Sequence, residues 1–194
     1  MRIERRKKRN NRVTRLWEDL GDILEHSPSD VPVCASDCPM ATLERCSRNC
    51  VDVPRMISSE PETYPLEDKI APLAYELKRL GVFHPCWSCE GHNGHDGKLW
   101  KKPQVWFYCN SVVHVRVLAN AIEKLHLTKN LNVHWRVALS FSDDDNADST
   151  FSLEPKLETE QPLLSALQRD VDTIAEHLRD EVIAEARKLS RMVL

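Results

Sequence analysis

Between residues 83 and 98 the chain reads FHPCWSCEGHNGHDGK, which gathers three histidines, two cysteines, three glycines and two acidic groups into sixteen positions. Cys86, Cys89 and His92 are each separated by two residues, a spacing at which a tight turn can aim successive side chains at one ion. Zinc takes about four ligands in a tetrahedron. The fourth would therefore come from His95, from Cys109 at the end of the next strand, from His114, or from water. A closed set would be structural. An open one would bring the pKa of bound water to about 7, with Glu90 or Asp96 placed to move protons. Gly91, Gly94 and Gly97 would permit the turn. A blander reading stands beside this one: cysteines pack as small apolar residues, and histidines in a glycine-rich loop are commonly just exposed.

A second group, Cys34, Cys38, Cys46 and Cys50, follows the pattern C-x3-C-x7-C-x3-C. If residues 40–50 are helical, Cys46 and Cys50 share a face one turn apart. Four thiolates so placed could hold zinc, two short disulfides would satisfy the same spacing in an oxidising compartment, and an iron–sulfur cluster is the third alternative. Arg45 and Arg48 between these thiols would favour the thiolate form.

The glycine-rich loop also exposes backbone N–H groups that can hold a phosphate or carboxylate, and Lys98, Lys101 and Lys102 follow directly. Ser88, Gly91 and Arg136 are the candidate contacts to such a small anionic ligand, with His134 as a second candidate acid–base group beside Glu90. His134 and Arg136 reach this ligand only if their strand packs beside residues 103–109.

The elements that must position these groups follow from periodicity. Val13, Leu16, Trp17, Leu20, Ile23 and Leu24 recur at helical spacing, and His26-Ser-Pro-Ser-Asp-Val-Pro32 ends that helix. Residues 51–65, with three prolines, read as an extended linker. Thr63 is placed to cap the next helix, with Pro65 in its first turn and Leu66, Ile70, Leu73, Ala74, Leu77 and Leu80 on one face until Gly81. Residues 103–109 read as a strand and 112–127 as a helix or strand-to-helix segment. In 132–142, Val133, Trp135, Val137, Leu139 and Phe141 alternate with His134, Arg136, Ala138 and Ser140, the mark of a half-buried strand. The acidic run 143–148 joins it to 149–155 as a hairpin; it lacks the glycine and the final glutamate of a calcium loop. From Pro162 to about Arg191 apolar residues fall three and four apart, as in one long helix. This order predicts an α+β domain over 66–194, with a small antiparallel or mixed sheet and helices on one face. A basic arm with its amphipathic helix (1–30) and a cysteine-rich segment with linker (31–65) precede it.

Composition limits the classes. The chain has 194 residues, 41% of them apolar, enough for one core of ordinary size. The net charge of -3 divides unevenly, since residues 1–15 hold eight basic groups against Glu4 alone, or +7, which leaves -10 elsewhere. That arm could contact nucleic acid or an acidic protein surface. No apolar run approaches the roughly 18 residues of a membrane span, and the odd count of seven cysteines without an export signal fits thiols or metal ligands in a soluble cytoplasmic protein.

Asp68, the run Ile70-Ala71-Pro72-Leu73, then Ser88-Cys89-Glu90-Gly91, then Val105-Trp106-Phe107 form a pattern that resembles an element of the wybutosine-synthesis tRNA methyltransferase family. It is similar also to uncharacterised bacterial proteins with a Ser-Cys-Glu-Gly-His loop. The resemblance covers about forty residues and implies that Ser88 to His92 lies in a pocket; it does not imply a metal. In the family an arginine follows the glycine, where this chain has His92.

Three functions follow as expectations. The leading one is a zinc protein with its principal site in residues 86–95 and a second at Cys34–Cys50. The second is a metal-free enzyme of the RNA-modification kind that grips an anion or nucleotide with the Ser88–Gly91 loop. The third is a scaffold that docks through residues 1–15 and self-associates through 162–191.

Overall fold

The structure is a computed structural model and describes residues 11–25, 63, 66–141, 149–157 and 162–192. The cysteine group 34–50, the arm up to residue 10 and nearly all of the linker lie outside the described residues. Helix α1 spans Asn11–Glu25, α2 Ala71–Arg79, α3 Val112–Lys129 and α4 Leu164–Met192. Strands are β1 (His84–Cys89), β2 (His92–Asn93), β3 (Leu99–Lys101), β4 (Gln104–Tyr108), β5 (Trp135–Phe141) and β6 (Ser149–Pro155).

The fold is α+β, and its long C-terminal helix is the predicted one. One sheet runs β1-β4-β6-β5, antiparallel throughout, and β2 and β3 form a separate two-stranded hairpin. Alternation along β4 and β6 turns Val105, Phe107, Phe151 and Leu153 to one face, where they join Leu73, Leu77, Leu118, Ile122, Ile174 and Leu178 from the helices. Trp87 and Trp106 pair on the other face, ring centroids 5.3 Å apart.

Local chemistry sets the boundaries. Ser111 caps α3 by accepting the Val113 N–H at 3.0 Å. Asn130, in the left-handed region at φ 52°, ends it. Helix α2 begins later than its apolar spacing suggests: residues 68–70 form a turn, Ile70 is the N-cap, and Pro72 rather than Pro65 occupies the first helical turn. Thr63 therefore does not cap it. Beyond α3, the buried carboxylate of Asp170 on α4 accepts the Asn132 N–H (2.8 Å), the Val133 N–H (3.1 Å) and the Trp135 indole N–H (3.1 Å), which fixes the start of β5 against the helix layer. Among the described residues, no helix is long and apolar enough to cross a membrane.

One expectation is corrected here. Residues 84–89 do not form a turn-rich loop but an edge strand, paired with β4 from His84↔Tyr108 to Cys89↔Gln104 with a bulge between Pro85 and Trp87. The glycines act only after this strand, in the β2–β3 hairpin and the residue that leads into it.

Candidate metal centre

At the end of β1 the chain turns sharply through Gly91, whose φ is +85°. A Cβ there would lie 2.6 Å from Leu164 Cδ1 and 2.9 Å from Pro103 Cδ, so both backbone and space require glycine. This turn carries Cys89, Glu90 and His92 around one point, and the segment just before α2 brings Glu67 to the same place. The Glu67 carboxylate is shared: Oε1 lies 2.9 Å from His92 Nε2, while Oε2 accepts the Glu90 N–H at 2.7 Å. In return Glu90 Oε2 accepts the Lys69 N–H at 2.9 Å, and the Glu90 carbonyl accepts from the Gln168 side chain at 3.2 Å. Ligand atoms of Glu67, Cys89 and His92 all lie within 4.8 Å of one another.

The electrostatics around Cys89 are unusual. The residue is 3% exposed. Burial pushes its thiol up, and the carboxylates of Glu67 and Glu90 push the same way; a hydrogen bond from the Gly91 N–H and the charge of Lys101 oppose them without prevailing. A bare thiolate nucleophile is thus disfavoured here. A cation would favour the thiolate and both carboxylates together.

The remaining predicted ligands do not join this group. Cys86 is exposed, beside the β1 bulge, and three residues of extended strand separate it from Cys89 by roughly 10 Å. A C-x-x-C pair converges on one ion from a turn or helix, not from a strand. His95 is exposed in the turn of the β2–β3 hairpin. Cys109 follows Tyr108, which pairs with His84 at the far end of β1, so about 16 Å of strand separates it from Gln104 and Cys89. Burial pushes its thiol up and its S–H donates to the Ser111 carbonyl at 3.4 Å.

The predicted acid–base and anion contacts also separate. His134 and Arg136 belong to β5 and its approach, three strand spacings or about 14 Å across the sheet from β1, because β6 and not β5 lies beside β4. His134 Nε2 instead meets Glu123 Oε2 at 2.5 Å, and its ring packs against His126 with centroids 4.9 Å apart. Arg136 binds Glu154 Oε1 at 2.9 Å, and Lys102 binds Oε2 of the same carboxylate at 2.9 Å. Burial works against that charge, but hydrogen bonds from Lys102, Ser152 and Arg136 hold the carboxyl below the ordinary glutamate range. Ser88 is half-buried opposite Val105. Gly91 is buried, and its N–H points to Cys89 rather than outward.

Glu67 is the member of this centre that sequence spacing did not reveal, since it precedes Glu90 by 23 positions and no motif links them. The turn through Gly81 (φ 74°) brings β1 back past the residues leading into α2, and that return makes the contact. Comparison with protein-family models, with curated proteins and with solved structures finds no match for this chain, so the likeness of residues 68–107 to a methyltransferase element rests on its short motifs.

Proposed function

We propose that the protein binds a divalent metal ion, zinc by ligand chemistry, through Glu67, Cys89 and His92, with a fourth position left to water or a ligand. The observation that carries this reading is the convergence of the three ligand atoms to within 4.8 Å. Zinc accepts thiolate at about 2.3 Å and imidazole or carboxylate at about 2.0–2.2 Å, and a mixed S, N, O set is within its ordinary range. The ion would take the place of the proton between His92 and Glu67. It would also relieve the pressure that burial and two acidic neighbours put on the Cys89 thiol.

Glu90 is held beside this centre by the Lys69 and Gln168 contacts, which makes it the candidate to move a proton to or from a group in the fourth position. The metal-free, anion-gripping reading has less support, because the Glu90 and Gly91 amides already serve Glu67 and Cys89. Metal analysis of protein purified without added zinc distinguishes the alternatives. Cys89→Ser is expected to lose about one equivalent relative to the native chain, and Cys86→Ser to lose none. Unchanged stoichiometry in Cys89→Ser would rule out this assignment.

A further inference from the structure

Far from Cys89, α1 meets α3 through a polar contact that the proposed function does not use. Helix α1 buries Leu20 and Ile23 against the domain. A helix of 15 residues is marginal in water by itself, so its place depends on what it docks against. On its docked side Asp19 and Asp22 lie three residues apart and therefore on one face.

Opposite them is His114, in the first turn of α3 and only 4% exposed. Its Nε2 lies 2.6 Å from the Asp19 carbonyl oxygen and 3.7 Å from Asp22 Oδ2, so one ring nitrogen faces two oxygens with at most one proton to give. The other ring nitrogen, Nδ1, is buried with no hydrogen-bond partner. The two ring nitrogens point apart, so Nδ1 lies outside the group of oxygens that Nε2 faces. Ligand atoms of Asp19, Asp22 and His114 lie within 4.8 Å of one another.

We propose that Asp19, Asp22 and His114 form a second divalent-cation site, which clips α1, and with it the basic arm, to the α+β domain. Two carboxylates and an imidazole suit zinc and, more weakly, manganese; the set differs in kind from the sulfur-containing centre at Cys89. In the cation-bound state the ring nitrogen and both carboxylates share one charge, and α1 is held at a point where its apolar anchor is small. The site is independent of the Cys89 centre.

Hydrogen exchange on the full-length chain, first stripped with chelator and then given Zn²⁺, tests this. At zinc 100-fold above its dissociation constant, amides of residues 16–25 that exchange only when α1 undocks are expected to gain about 100-fold protection by mass action. Asp22 is 60% exposed on its side chain and alanine is the best helix former, so Asp22→Ala is expected to fold normally. It should lose that zinc-dependent gain and keep any zinc-dependent protection around residues 84–101. His114→Gln should lose it too. An α1 that gains no protection from zinc in the native chain, or that gains as much in Asp22→Ala, overturns the proposal.

Discussion

Cys89 concentrates the chemistry of this molecule because its thiol is pushed up by burial and by Glu67 and Glu90 at once. A raised thiol pKa means that the neutral form stabilises the metal-free fold. That contribution is complete below the ordinary cysteine pKa of about 8.5 and is lost as pH rises through the higher folded value. Metal binding must displace this proton. Zinc titrations at pH 7 in buffers of different ionisation enthalpy are therefore expected to show release of at least about one proton per ion, and affinity should fall as pH is lowered. A heat of binding independent of buffer would contradict the account. Glu67 was hidden from a sequence reading for a physical reason: its approach to Cys89 comes from the return of the chain after α2, and no local spacing encodes such a return. Cys86 misled for the converse reason, since a two-residue separation converges on an ion only in a turn.

The elements were more legible than the site because each buries one face with its own period. The alternation of Trp135 and Val137 on β5, and the three-and-four spacing of Leu167, Val171, Ile174 and Leu178 on α4, survive in the packed structure, whereas Leu139, expected on the same buried face of β5, is 54% exposed. The interval 84–89 was not legible as a strand, because its histidine, proline and cysteines have no alternation and its pairing with β4 carries a bulge. What joins the β5 approach to the helix layer is Asp170, a carboxylate only 1% exposed that four N–H donors of residues 132–135 satisfy in common, the Asn132 side-chain amide among them. Removing it leaves the Trp135 indole N–H buried and unpaired, and takes the acceptor from the partly buried amides of Asn132 and Val133. Asp170→Ala is expected to lower unfolding free energy by about 3 kcal/mol in urea denaturation, whereas Asp172→Ala, exposed on the same helix, should change it by less than about 0.5 kcal/mol. Equal effects would mean that the Asp170 network contributes little.

At the scale of the whole molecule, one antiparallel sheet and its helices hold two groups of carboxylate, imidazole and thiol side chains in separate places. Glu67, Cys89 and His92 gather where β1 ends, while Asp19, Asp22 and His114 gather where α1 meets α3. The sheet order explains why the residues predicted for one site are dispersed: β1 and β5 are its opposite edges, so His134 and Arg136 cannot share the chemistry of Cys89. The most direct test is zinc-edge X-ray absorption on the full chain in which Cys34, Cys38, Cys46 and Cys50 are serine and Asp22 is alanine, loaded with one equivalent of zinc. The account predicts a single sulfur at about 2.3 Å with the remaining ligands nitrogen or oxygen at about 2.0–2.2 Å. Two sulfurs, which would bring Cys86 back to the ion, or none at all, would contradict it.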